Sequence, residues 1–419
     1  MIPYFKSFGE SIERAWREHG FNEDVFPELA LQELERNPPS GRVDVQEIVD
    51  FVFDSHQEFA QPNNRELFGE PPVMLFQAAR FYIEALFWFS GTTDIHEHSF
   101  SGVFTVLAGS SVHSHWRFAR QRTVNSRMLC GSLERVSTEI LRPGDARLIY
   151  SGDRIIHQLF HLEVPSVTIV VRTYVDRDHL PQYRYRLPGL ATAYDDGDSL
   201  RTRRMILLDS MARGQLQGFQ EYSRKLIDSG DLETVFQAFS ILSRRKIEDA
   251  ELYEAARRRH GDIVDLFRQA LDEERRTRIV TLLRAKVADP EPRFLLALLM
   301  LMPDRDSIFE TIRLQLPDAE PLALIETWLT AISGKDIIGF NFNEANRLVF
   351  RSLVEGLDLE TIVQKLKTEF GSEALDSQAE KLSEHVHRMA RSDLFRPLFS
   401  NSPVMQDGKA AALVEAGAA

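Results

Sequence analysis

Ile95-His96-Glu97-His98-Ser99-Phe100 sets two histidines two residues apart in a stretch that reads as β-strand. Side chains alternate along a strand, so His96 and His98 share one face and Glu97 takes the other. Two neutral imidazoles on one face are half of a metal site, and iron, copper, nickel and zinc all accept such donors. A third imidazole follows downstream. Arg142-Pro143-Gly144-Asp145 makes a turn into a strand, and Ser151-Gly152-Asp153 leads to Ile156-His157-Gln158, from which His157 can reach the same interior. The other histidines compete less well. His113 and His115 form a second His-x-His, but one that follows the turn-like Gly109-Ser110-Ser111 and reads as a solvated hairpin. His161 reads as structural. His385 and His387 fall on a predicted helix, where residues two apart diverge by roughly 200°.

The elements that must position these groups follow from texture. Residues 1–75 read as helical: Ile12, Ala15 and Trp16 form one stripe, Val45, Ile48, Val49 and Val52 another, and Asp44 with Glu47 can cap the second. Prolines and glycines such as Pro38, Pro39, Gly41, Pro62 and Gly69 separate the stripes. Residues 76–185 read as strands, with runs at Phe81–Phe89, Gly102–Leu107, Ala146–Tyr150 and Ser166–Val171 punctuated by Gly and Pro, which suits an all-β barrel or sandwich. Residues 200–334 return to helical spacing, as at Leu232, Val235, Phe236, Phe239 and Leu242, with Gly230, Gly261, Pro290, Pro303, Pro317 and Gly334 as breaks. Residues 401–419, rich in Ala and Gly towards their end, read as a flexible tail.

Composition narrows the function classes. The chain has 419 residues, 50 basic and 63 acidic side chains and a net charge of −13, which argues against a general binder of nucleic acid or anionic membrane. A single cysteine, Cys130, excludes an internal disulfide framework and any Cys-rich zinc module. The most apolar run, Phe294–Met302, is about half the ~20 residues that cross a bilayer. The N-terminus carries no basic start followed by an apolar core, so a cytoplasmic protein is expected.

At its histidines the sequence resembles the cupin superfamily. That family's first motif is a Gly, then His-x-His, a Glu three or four residues on, and a Gly after six more; here His96, His98 and Gly109 fit, Gly91 is one residue off, and Gly102 stands at the Glu position. The second motif, a Pro/Gly turn followed by a His, matches Pro143-Gly144 and His157. Loss of the Glu resembles the cysteine dioxygenase and related thiol dioxygenase branch, in which three histidines hold iron(II). The resemblance spans residues 76–185, about a quarter of the chain. It implies an Fe(II) cofactor on His96, His98 and His157, with O₂ and a thiol as reactants and a sulfinate as product. It also implies an Arg that holds the substrate carboxylate and a Tyr beside the oxygen. Arg172 and Tyr174, two apart on a late strand, are the candidates, and Arg80 is a second carboxylate clamp. Counting from His157 puts Tyr174 at the family's tyrosine, whereas aligning on Pro165 puts Arg172 there. The Cys that cross-links to this Tyr in animal cysteine dioxygenases is absent, with Gly102 or Val103 in its place.

Residues 335–400 hold a further pattern. Ile337-Ile338-Gly339-Phe340-Asn341-Phe342 is strand-like, Asn343 and Asp358 can cap helices, and the stripes Ala345, Leu348, Val349, Leu353 and Ile362, Val363, Leu366, Phe370 precede a third at Ala379, Leu382, Val386, Met389. A strand piece with three short helices is winged-helix-like. Asn343-Glu344-Ala345-Asn346-Arg347-Leu348 with Gly356-Leu357-Asp358-Leu359 is similar to the pyrroloquinoline-quinone peptide chaperones and related precursor-peptide recognition domains. That resemblance implies a peptide added as a strand along a sheet edge.

The expected whole is α+β: helices over 1–75, a cupin β-barrel with the metal site over 76–185, and a mostly helical C-terminal half ending in a winged-helix-like module. The expected function is a mononuclear non-haem iron(II) dioxygenase acting on a thiol, an amino acid or a peptide presented by that module. The rival is a non-enzymatic cupin that binds a metal or small ligand while the helical half contacts a peptide or protein partner. A metal-dependent isomerase or lyase is a third reading.

Overall fold

The computed structural model describes residues 2–54, 61, 68–89, 92–194, 197–333, 338–371 and 379–405. Gly91, Pro62, Gly334, Ile337 and all but the first five residues of the 401–419 tail lie outside them. The chain forms two compact units, Met1–Arg275 and Arg276–Ala419.

The first unit opens with α1 (Pro3–Glu18), α2 (Phe26–Arg36) and α3 (Val45–Phe53). In α1 the apolar residues Phe5, Phe8, Ile12 and Trp16 recur every three or four positions and are all buried. Asp44 and Glu47 form the expected capping box at the start of α3. Eleven strands follow: β1 (Pro72–Gln77), β2 (Phe81–Trp88), β3 (Ile95–His98), β4 (Gly102–Ala108), β5 (Ser111–Asn125), β6 (Met128–Leu141), β7 (Ala146–Ile149), β8 (Gly152–His161), β9 (Ser166–Thr173), β10 (Tyr183–Arg186) and β11 (Leu190–Ala193). The barrel therefore runs on to Ala193.

The strands build two sheets. One has the order β1-β2-β9-β4-β7, and the other closes on itself as β10-β11-β6-β5-β8-β3. Period-2 alternation sorts their side chains into layers. From β2, Phe81, Ile83, Ala85 and Phe87 join α1–α3 in one core with Phe8, Trp16 and Phe26. Leu86 and Trp88 turn the other way, into a core shared with Phe100, Phe104, Leu141, Ile149, Leu159 and Val170. This inter-sheet layer lines the cavity onto which His96, His98 and His157 also face. The closed sheet has its own core of Ile95, Trp116, Leu129, Leu133, Ile156, Tyr185 and Ala191.

Helices α4 (Ser199–Gly214), α5 (Phe219–Ser229), α6 (Leu232–Arg244), α7 (Ala250–His260) and the first part of α8 (Ile263–Arg284) complete the first unit. They pack over Met128, Cys130 and Leu190. The second unit takes the rest of α8 and α9 (Pro290–Leu301), α10 (Arg305–Gln315), α11 (Pro321–Ser333), α12 (Glu344–Glu355), α13 (Leu359–Phe370) and α14 (Ala379–Ala390). The winged-helix expectation needs correcting on one point: the described residues 338–342 form bends and no strand. Their aromatic rings serve a helical core, with Phe340 against Phe395 and Phe342 against Phe350. No helix among the described residues is long and apolar enough to cross a membrane.

Trp16 joins α1 to the sheet: it is 1% exposed and its ring meets Phe26 and Phe81 at 4.4 and 6.3 Å. Trp16→Ala is expected to cost about 3–5 kcal/mol, read as a lower urea midpoint at unchanged slope.

Candidate metal centre

β3 is four residues long and wholly buried, and it pairs with β8 on one side and β10 on the other. His96 stands directly opposite His157 across the β3–β8 ladder. Directly opposed side chains lie close enough to interact, so the third imidazole arrives by strand register. A register shift between His96 and His98 sets His98 opposite Gly152 and lets it converge on the same point. One nitrogen from each of the three rings lies within 4.8 Å of the other two. The rings are 2%, 6% and 2% exposed for His96, His98 and His157.

Hydrogen bonds identify the inward nitrogens. His96 Nδ1–H donates to the Asp94 carbonyl at 2.8 Å, which leaves the lone pair on Nε2. His98 Nε2 and His157 Nε2 face each other at 2.8 Å, and His157 Nδ1 is engaged by His113. His98 Nδ1 is buried with no hydrogen-bond partner among the described residues. Burial lowers the pKa of His96 and takes His98 and His157 well below the ordinary histidine value, with the neighbouring imidazoles adding to the effect at the last two. The cluster is therefore a set of neutral donors. It fits one transition-metal ion: M–N bonds of about 2.0–2.1 Å need ligand nitrogens roughly 3.3 Å apart in a tetrahedral set, within small side-chain adjustments of what is seen.

Glu97 takes the opposite face, as alternation requires. It accepts from Tyr185 Oη at 2.5 Å and from the Tyr183 N–H at 3.1 Å, and burial pushes its carboxyl up to about 7.

The cluster opens on a cavity of about 70 Å³, lined among others by Phe68, Glu84, Trp88, Phe100, Phe104 and Arg172. Arg172, expected on the inward face of its strand, lines this cavity. Its guanidinium lies 3.3 Å from the Phe100 ring centroid and 3.5 Å from Glu84 Oε1, and its Nε–H is buried without a partner among the described residues. Glu84, an inward carboxylate, has its pKa raised by burial against the pull of Arg172.

Two expected residues are elsewhere. β9 ends at Thr173, so alternation does not carry to Tyr174; it is 40% exposed, and its hydroxyl donates to the Ala78 carbonyl at 3.1 Å. Arg80 is exposed in the turn between β1 and β2, its guanidinium 4.9 Å from the Phe21 ring centroid. A third correction concerns His113 and His115, which lie within β5 and not in a solvated hairpin; His113 is 0% exposed. Sequence reasoning also missed Glu84, Glu139 and Arg147. The signal for Glu84 was there: it is the one charge in the aromatic run Phe81–Phe89, on the face of Leu86 and Trp88.

Gly102 stands on β4 two residues before the inward Phe104. A Cβ at Gly102 would meet the Val171 carbonyl oxygen at 2.0 Å and Arg172 Cα at 2.9 Å. The backbone of β9 thus leaves no room for a side chain at this position, and Gly102 adds no donor to the three histidines.

No protein-family model matches the chain, and no curated protein matches it. Among solved structures, it is similar to a structure of DMSP lyases (18% identity, 26% of this chain and 48% of that chain, TM-score 0.19). It is also similar to oxalate oxidase (14% identity, 36% and 68%, TM-score 0.20) and to the 11S globulin of Wrightia tinctoria (11% identity, 50% and 52%, TM-score 0.21). The chain thus spans about half the length of the first. Scores this low carry no argument, and the fold and site rest on the strand order and side chains above.

Gly102→Glu is expected to add no ligand. It should instead destabilise the barrel by at least the about 1–3 kcal/mol of ordinary overpacking, seen as a lower melting temperature and reduced metal content. A stable variant with tighter metal binding would contradict the close approach of β4 and β9.

Proposed function

We propose that the chain is a mononuclear, three-histidine non-haem iron(II) oxygenase of the cupin type, acting on a small anionic thiol or amino acid. The observation that carries this reading is that Arg172 and the His96–His98–His157 cluster line one cavity. A bound iron(II) supplies Lewis-acid polarisation and electrons for O₂ chemistry.

The chain's own residues supply binding and orientation. Three neutral rings leave the ion's full positive charge in place, which favours an anionic substrate over a neutral one. Arg172 presents a buried N–H with no acceptor among the described residues, so a substrate carboxylate gains a charge-assisted hydrogen bond there. Phe100 beneath the guanidinium restricts its orientation. Leu86, Trp88, Phe104, Ile149, Leu159 and Val170 make most of the remaining wall apolar, beside Glu84, Thr93 and Thr168, and an apolar wall strengthens both electrostatic contacts by excluding water. At about 70 Å³ the cavity is far below the ~300–1,000 Å³ of sites for drug-sized ligands, which favours a single thiol or amino acid over a peptide. A peptide or protein partner for the C-terminal helices is a separate proposal, and the cavity does not require one.

Elemental analysis after anaerobic iron(II) reconstitution should find about one iron per chain, and none in a folded His96→Ala, His98→Ala double variant. With a panel of small thiol carboxylates, an oxygen electrode should show substrate-dependent O₂ consumption. Arg172→Leu should raise KM for a carboxylate substrate by 10-fold or more, on the order of one charge-assisted hydrogen bond, with little change for its decarboxylated analogue. Bound metal without oxygen uptake would favour the non-enzymatic binding reading, and failure to bind any metal would sink the oxygenase and leave only a non-enzymatic ligand-binding protein.

A further inference from the structure

The proposed centre uses three histidines and leaves His113 over. This ring is fully buried on β5. Its Nε2 lies 2.9 Å from Nδ1 of His157, and its Nδ1 lies 3.1 Å from Oε1 of Glu139. Arg147 holds Glu139 in turn, Nε donating to Oε1 at 2.8 Å and Nη2 to Oε2. Arg147 lies on β7 and Glu139 on β6, so this ion pair joins the two sheets. The groups form one line, from a nitrogen of the cluster to a half-exposed carboxylate.

An imidazole with one ring proton donates at one nitrogen and accepts at the other, so the direction of a single bond sets the whole line. For His157 to offer a lone pair at Nε2, its proton must be on Nδ1, which then donates to His113 Nε2. His113 carries its own proton on Nδ1 and donates to Glu139, an ionised acceptor that Arg147 keeps well below the usual carboxylate range. Every donor meets an acceptor. In the opposite direction His113 donates from Nε2, the His157 proton moves to Nε2, and that nitrogen can no longer bind a metal. The His113 Nδ1 lone pair then faces a carboxylate lone pair.

Next to this line is a second group of donors, His113, His115 and Glu139, whose ligand atoms also lie within 4.8 Å of one another. An ion there would take His113 Nδ1, and that requires the opposite direction. The two groups share the same two ring protons, so filling one disables the other. Arg147 already sits against Glu139 in the second group.

We propose that His113 and Glu139 are positioning residues that lock His157 in its metal-binding tautomer, and that the His113–His115–Glu139 group takes no ion while the histidine triad is filled. The proposal rests on the triad being the metal centre, so the test separates the two. Zinc(II) serves as a diamagnetic probe on the full chain, with stoichiometry and affinity from equilibrium dialysis and tautomers from long-range ¹H–¹⁵N correlations. One zinc is expected per chain, with His157 and His113 both protonated on Nδ1. His113→Leu should weaken zinc binding by about 10–100-fold, the usual range for loss of a group that orients a ligand. His113→Gln, whose amide oxygen still accepts from His157, should recover most of that loss, and His115→Ala should change neither affinity nor stoichiometry. Two zinc ions in the wild type, His113 protonated on Nε2 with zinc bound, or unaltered affinity in folded His113→Leu would overturn the proposal. If His113→Leu does not fold, the wild-type tautomers decide. Zinc retained by the His96→Ala, His98→Ala variant would instead remove the triad reading itself.

Discussion

The opposition of His96 to His157 across the β3–β8 ladder is the constraint on which the rest of the site depends. A slip of one residue in β3 would turn both its histidines into the core of the closed sheet and bring Glu97 into the cavity. Three contacts resist that slip. Ile95 is packed among Trp116, Ile156 and Tyr185, and Glu97 is held by the Tyr185 hydroxyl and the Tyr183 N–H. A short strand with neighbours on both sides thus gets its register from the face that does no chemistry.

Electrostatics divides the interior between neutral and charged groups. The triad is neutral because burial penalises imidazolium, and the formal charges near it come as pairs, Arg172 with Glu84 and Arg147 with Glu139. The pairs differ in kind. Arg147 grips Glu139 with two nitrogens and helps to orient His113, whereas Arg172 meets Glu84 through one contact at 3.5 Å and keeps a buried N–H unspent. The first pair is suited to hold structure and the second to exchange partners when an anion enters.

How much of this was legible in the sequence depends on the range of the interaction. Periodicity found the helical stripes of α1, α3, α6, α12 and α13, the four main strand runs, and the shared face of His96 and His98, because these follow from local geometry. The Pro143-Gly144 turn pointed to His157. What local pattern cannot show is that β8 lies between β3 and β5, and this pairing turns the His113–His115 segment from an apparent surface hairpin into a strand whose His113 contacts His157. Tyr174 failed for a smaller reason: the alternation that places Arg172 inward was counted one step past the end of β9. Residues 338–342 misled because aromatic residues favour strands and helical cores alike, and here the rings meet Phe350 and Phe395.

Gly102 links the loss of one ligand to the presence of the clamp. It pairs with Arg172 across the β4–β9 ladder, and Arg172 lines the inter-sheet cavity. A carboxylate at Gly102 would have lowered the charge of a bound dication and given Arg172 an internal partner. Without it, a bound dication would keep its full charge, and the Arg172 Nε–H has no partner among the described residues. The close approach of the two backbones, with only 2.0 Å between a Gly102 Cβ and the Val171 carbonyl oxygen, makes that exchange a property of the strand packing. One steric fact thus keeps a carboxylate out of this stretch of β4, and with it a negative charge that would compete with the anion proposed to bind at Arg172.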